Sequence, residues 1–417
     1  MTVFKSGDVH GLISADSTRP AVGRSVGRSV GPAVGTVHLI VPDGIEDPSR
    51  PSGGNAYDRR VRSGLAALGW SVREHAVPGA WPTPDGGSRE FLARVVAAIP
   101  DGAVVLLDGL IASAVPDVLV PESARLRLVV LVHMPLGQAP AGAEVPGDVT
   151  EPGVREQAAQ KPGVQEQAVQ EQAARERAVR ERATLSAAVA VVTTSAWCRD
   201  WLIDRYALHP NMIHVATPGV VPAAAAAGTP SGGELLCVAA VTPGKGHDVL
   251  VDALASIAQP PWRLKCVGSL TRDPGFVERL GRQSRAAGIG DRVHLTGPLT
   301  GADLGAGYAA ADVLVHASRG ETYGMVVTEA LARGLPVIAT AVGGVPEAVG
   351  STDAGDIPGI LVPAGDPAAL AAALRDWLGD NGLRQRLRAA AGSRRASLSG
   401  WPDTAATLSR VLAEAAR

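Results

Sequence analysis

The chain has 417 residues, with 39 Lys plus Arg against 41 Asp plus Glu for a formal charge of −2; 46% of residues are hydrophobic but only 3% aromatic. That length exceeds one hydrophobic core, so two or three domains are expected, and so much apolar surface excludes a chain that is disordered throughout. The balanced charge removes the chain-wide electrostatic footprint of a nucleic-acid binder.

Residues 1–34 contain the repeat Val-Gly-Arg-Ser-Val-Gly-Arg-Ser-Val-Gly and no continuous apolar core of a signal peptide, and read as a flexible tail. Order starts at Thr36–Val41, a short β-branched run. A helical pattern over Asn55–Leu68 follows, then strand patterns near Ala103–Leu107, Leu126–His133 and Val189–Thr193, and a helix over Ala196–Tyr206. Near-continuous apolar strands separated by helices predict a parallel sheet covered on both faces. Residues 35–218 thus read as one doubly wound domain.

Residues 138–184 interrupt the pattern. Pro-Gly-Val-Arg-Glu-Gln-Ala-Ala-Gln at 152–160 is nearly repeated at 162–170, and a Glu/Gln/Ala/Arg run follows. High helix propensity with little apolar surface reads as a solvent-exposed, partly helical insertion. After a hinge near Pro218–Gly233, a second series begins, with strands at Glu234–Ala239, Arg263–Val267, Arg292–Leu295, Asp312–Val315, Pro336–Ala339 and Gly359–Val362. Helical patterns lie between them at Pro274–Ala287, Tyr323–Arg333 and Pro367–Leu378. The expected organisation is a second doubly wound domain over 219–398, a cleft between the two, and a closing amphipathic helix within 399–417.

Cys198, Cys237 and Cys266 show no C-x-x-C spacing and read as buried apolar residues, which favours a reducing cytoplasm. No stretch approaches the ~18 apolar residues of a membrane span.

The chemistry concentrates after the Asp312–Val315 strand, where Gly320-Glu-Thr-Tyr-Gly-Met325 occupies a strand's carboxyl end, the edge at which open α/β sheets bind ligands. Glu321 falls in the loop and Glu329 inside the following helix. Free amides near Tyr323–Met325 offer an anion site between the two carboxylates. A polyhydroxyl ligand with a central diphosphate fits that spacing.

From Gly320 to Val337 the sequence resembles the family 4 retaining glycosyltransferases of GT-B fold, whose strongest mark is the E-x7-E element, here Glu321 to Glu329. The resemblance spans nearly all of 36–417 except the insertion. It implies that Glu321 contacts donor-sugar hydroxyls, that Thr322, Tyr323, Gly324 and Met325 meet sugar and diphosphate, and that Glu329 holds the nucleotide ribose. It further implies that Lys245 neutralises the diphosphate. The family's usual arginine after the preceding strand falls on Ala240, and Arg319 is a candidate substitute. In the N-terminal domain, Gly53 and Gly54 resemble the family's glycine-rich loop, and His133 matches a histidine that contacts the transferred sugar. Asp108, also at a strand end, is an acceptor-side candidate.

Absences agree. No G-x-G-x-x-G follows a strand, no Walker A pattern surrounds Gly244–Lys245, and no Asp-x-Asp supplies a metal site. The expectation is a metal-independent, cofactor-free retaining transferase taking a nucleotide-diphosphate sugar to a hydroxyl of a soluble small-molecule or glycan acceptor. An epimerase, a phosphorylase or a non-catalytic relative of the same fold is the alternative.

Overall fold

The computed structural model describes residues 34–47, 51–138, 162–259 and 261–417. Within the unit Ala33–Arg417 lie two six-stranded sheets in which every strand pair is parallel. The first contains β1 (Gly35–Pro42), β2 (Trp70–Val77), β3 (Val104–Asp108), β4 (Arg127–Val132), β5 (Ala190–Thr193) and β6 (Ile213–Val215), in the order β2-β1-β3-β4-β5-β6. The second contains β7 (Glu234–Val238), β8 (Arg263–Val267), β9 (Val293–Gly297), β10 (Val313–His316), β11 (Val337–Thr340) and β12 (Gly359–Val362), in the order β12-β11-β10-β7-β8-β9. These are the two doubly wound, Rossmann-like lobes of a GT-B fold.

The central strands are apolar on both sides because helices cover both faces. In the N-terminal lobe, Ile40, Val105, Leu107 and Val130 point into one core, while Leu39, Val41, Leu106 and Leu131 point into the other. The second lobe repeats this, with Leu235, Cys237 and Val313 on one side and Leu236 and Leu314 on the other. Two edge strands escape the sequence reading. β2 carries Arg73, Glu74 and His75 and has only β1 as a neighbour, whereas β6 is three residues long.

The stretch read as an exposed insertion differs from expectation where it is described; residues 139–161 and the 1–33 tail lie outside the described residues. Pro162–Ala187 is one helix, and it packs against the helix Pro116–Glu122. Ala174, Glu181 and Leu185 are buried and Ala178 packs beside them on the core. Their spacing of four, three and four residues makes a single face. Composition hid that face because two of its four members are alanines and one is a charged residue.

The last helix, Trp401–Ala415, crosses back to the N-terminal lobe and lies along the helix Gly53–Ala67. Leu408, Val411 and Leu412 enter the core shared with β1, β3 and β4, and Trp70 Nε1 donates to Ser409 Oγ at 2.8 Å. The crossing is fixed where Val220 N donates to Ser399 O at 3.0 Å. Among the described residues no helix is long and apolar enough to cross a membrane.

Leu408 is 0% exposed. Leu408→Ala should therefore cost about 2–5 kcal/mol in urea unfolding, through lost transfer energy and the cavity left behind. A loss under about 1 kcal/mol would mean that the closing helix is not docked as described.

Candidate functional site

In each sheet the strand order reverses once, between β1 and β3 and between β7 and β10. Loops leaving neighbouring strands there turn to opposite faces and open a crevice at the carboxyl edge. Four of the sequence-predicted groups leave these four strands. Gly53 and Gly54 follow β1, Asp108 ends β3, Lys245 follows β7 and Glu321 follows β10. His133 comes immediately after β4.

In the C-terminal lobe, Lys245 sits in the tight turn Pro243–Lys245, closed by Gly246 in a left-handed conformation at φ 67°. A Cβ on Gly246 would lie 2.0 Å from the Ala317 carbonyl oxygen, so only glycine lets this turn lie against β10. Arg319 N and Ser318 Oγ both donate to the Gly244 carbonyl, at 2.9 and 3.2 Å. The turn and the Glu321 loop are thus one hydrogen-bonded piece. Lys245 Nζ then donates to Glu321 Oε2 at 2.6 Å, and His316 Nε2 approaches the same oxygen at 3.5 Å. Burial pushes the Glu321 carboxyl up, but Lys245 and His316 beside it outweigh burial and hold it at about 2.

Arg319 does not join the pair. Its guanidinium grips both oxygens of Asp248 at 2.8 Å and donates to the Pro243 carbonyl, so it braces the turn rather than facing a ligand. Glu329 lies inside the helix Met325–Leu331, and Tyr308 donates to its Oε2 at 2.8 Å. Burial raises the Glu329 carboxyl above its ordinary range against the opposing pull of Tyr308 and Arg333. Thr322 and Tyr323 are buried, and Tyr323 packs its ring in the core. Gly324, at φ 95°, caps that short helix.

In the N-terminal lobe the glycines are not in a free loop. They begin the helix Gly53–Ala67, where Ser52 Oγ accepts from Asn55 N at 3.0 Å. A Cβ on Gly54 would stand 3.2 Å from the His133 ring, and one on Gly53 would stand 3.5 Å from Met325 Sδ. The glycines therefore join His133 to the E-x7-E segment across the cleft. His133 Nε2 is 2.8 Å from Asp58 Oδ1, and Asp108 Oδ1 accepts from Leu110 N at 2.6 Å. Burial and the neighbouring Asp58 charge push Asp108 up to about 7, with His133 opposing.

The lobes also touch behind the site. Ser195 Oγ donates to the Thr322 carbonyl at 2.7 Å, and Glu347 Oε2 accepts from Ala196 N at 2.9 Å at the start of the helix Ala196–Tyr206. A carboxylate at a helix N-terminus is favourably placed. Gly343 packs so closely that a Cβ would lie 1.7 Å from the Glu321 carbonyl oxygen.

Asp58, His316, Ser195, Glu347 and Glu181 were not read from the sequence. For Asp58 a signal exists: it shares the buried helix face with Val61 and Leu65, where a carboxylate is out of place. His316, like His133, stands at the end of a buried strand. Nothing marks Glu181 within a run of Glu, Gln and Arg. Among the described residues, two groups have potential metal-ligating atoms within 4.8 Å of one another: Asp58, Asp108 and His133 at the cleft, and the buried Cys237, His247 and Cys266.

Lys245→Met removes the cation that holds Glu321. The Glu321 carboxyl carbon, followed by NMR, should titrate well below pH 4.5 in the parent chain and at a higher pH in the variant. Identical titration in both would show that Lys245 does not govern it.

Residues 230–394 match the family model described as glycosyl transferases group 1. The D-inositol 3-phosphate glycosyltransferase of Xylanimonas cellulosilytica is 36% identical over 251 residues, covering 56% of this chain and 58% of that protein. The enzyme of the same name from Kineococcus radiotolerans is 37% identical over 241 residues, covering 52% and 54%. The chain thus spans about half the length of the curated relatives it matches. Among solved structures, sucrose-phosphate synthase from Thermosynechococcus elongatus superposes with a TM-score of 0.67 at 23% identity, over 90% of this chain and 97% of that one. HepE from Anabaena in complex with UDP-glucose gives 0.66 at 17% identity, over 91% and 99%. Residues 230–394 are therefore matched by the group 1 glycosyl transferases, within a chain whose two lobes adopt the GT-B fold.

Proposed function

We propose that the chain is a retaining glycosyltransferase, transferring a sugar from a nucleoside diphosphate sugar to a hydroxyl of an acceptor held by the N-terminal lobe. One observation carries this reading. Lys245 and Glu321 pair at the switch point of one sheet, with Glu329 in the helix that follows, and Gly53, next to the Gly54–His133 contact of the other lobe, comes up against Met325 between the two carboxylates. Such a crevice suits a ligand that is polar along its length and charged in the middle. The relatives named for inositol 3-phosphate glycosylation support a small polyhydroxyl acceptor, and the HepE complex supports a nucleotide-sugar donor.

In this reading Glu329 binds the ribose, Lys245 and the backbone of Tyr323–Met325 meet the diphosphate, and Glu321 accepts from sugar hydroxyls. A carboxyl held at about 2 stays an acceptor throughout the neutral range. Asp108 lies on the acceptor side. The bond from the anomeric carbon to the diphosphate oxygen breaks, the acceptor oxygen bonds to the same face, and its proton passes to the departing phosphate oxygen. No side chain is required as base, and the protein acts by positioning and by stabilising the leaving charge. No metal enters this scheme: the charge is met by Lys245 and by backbone amides.

The test is calorimetry with UDP, GDP and ADP, followed by incubation of the matching nucleotide sugar with cell-extract fractions and analysis by mass spectrometry and NMR. The expected result is one preferred nucleotide and a product with the donor's anomeric configuration. Glu329→Ala should mainly weaken nucleotide binding by about tenfold or more, and Glu321→Ala should mainly lower turnover. An inverted product refutes retention, and conversion of the donor without any acceptor points to an epimerase. A requirement for inorganic phosphate in place of nucleotide points to a phosphorylase, and binding to none of the three nucleotides removes the reading.

A further inference from the structure

Asp58 has no part in the transfer described above, yet it is built into the cleft. It is 1% exposed, its Oδ1 lies 2.8 Å from His133 Nε2, and its Oδ2 is buried without a hydrogen-bond partner. Two further groups lie against the imidazole. Tyr57 meets it edge-on with centroids 5.2 Å apart, and the bare backbone of Gly54 passes beside Cδ2. The loop that follows is pinned by Glu181, which accepts from Leu136 N and Gly137 N at 3.0 Å each, and from Ser113 and Tyr206. With Nε2 taken by Asp58, a ligand can meet this ring only through Nδ1.

We propose that Asp58 is a positioning residue that fixes His133 as a doubly protonated ring, so that Nδ1–H donates to an oxygen of the sugar or its diphosphate and takes no proton from the acceptor. The identity of that oxygen rests on the glycosyl-transfer reading; the coupling of Asp58 to His133 does not. The charged groups facing the ring are Asp58 from the helix Gly53–Ala67 and Asp108 from the end of β3. Tyr57 adds a buried phenol held well above its ordinary range. Burial alone would lower the histidine, but the two carboxylates outweigh it and hold His133 at about 9. The ring is then charged at neutral pH and loses its proton only as pH rises through that value. A general base would need the opposite state.

The experiment uses the full chain with 13C-labelled histidine, and His133→Gln assigns the resonance. In the parent chain His133 should titrate well above 6.5; in Asp58→Asn, where burial prevails, it should fall below 6.5. Asp108→Asn should lower it by less. With UDP-glucose as the probe donor, kcat/KM should drop about tenfold per pH unit above the His133 midpoint, and Asp58→Asn should carry that limb toward acid. A His133 midpoint at its ordinary value in the parent chain overturns the proposal, and so does a rate that rises through the midpoint. The parent titration decides even if Asp58→Asn fails to fold. A chain that binds no nucleotide would sink the transferase reading, with the NMR result still deciding the coupling.

Discussion

Everything at the candidate site follows from the strands being parallel. A parallel sheet sends each strand's exit to one edge, and chain reversal at β1/β3 and β7/β10 parts the exits there. Neither lobe can enclose a ligand with one such edge. Two edges facing each other can, which is why the groups assembled here come from four sheet-end loops and two helix starts. The crossing segments at Val220 and Ser399, with the closing helix on the first lobe, hold the edges together.

Charge is handled locally at each place. Lys245 is matched to Glu321, Arg319 to Asp248, and His133 to Asp58. Each pair leaves little unbalanced charge at its own place, while burial raises the carboxyls of Asp108 and Glu329. Position does the remaining work. The turn at Lys245 is rigid because Gly246 lets it lie on β10, and Arg319 braces it from outside. The lobe contact through Ser195 and Glu347 fixes the E-x7-E loop from behind.

Much of this was legible in the residues. The strands Arg263–Val267 and Gly359–Val362, and the helix Ala196–Tyr206, coincide with their sequence readings, because apolar patterning and Ser caps are local signals. Glu321 and Lys245, both read from the sequence as lying past strand ends, are also brought together. What failed depended on partners distant in sequence. Arg319 looked like a spare cation until Asp248, 71 residues away, took it. The helix Pro162–Ala187 looked solvated because its packing face holds alanines and a glutamate beside a single leucine, Leu185. Nothing near Asp58 in the sequence names its partner; only the return of β4 brings His133 onto it, 75 residues later.

The most direct measurement of the central claim is a crystal structure of the full chain soaked with UDP-glucose, or with whichever nucleotide sugar binds tightest. The account predicts ribose at Glu329, diphosphate between Lys245 and the start of the helix Met325–Leu331, and the sugar between Glu321 and His133. A nucleotide seated at the amino edge of either sheet, or bound by one lobe without contact to Glu321 and Glu329, would contradict it.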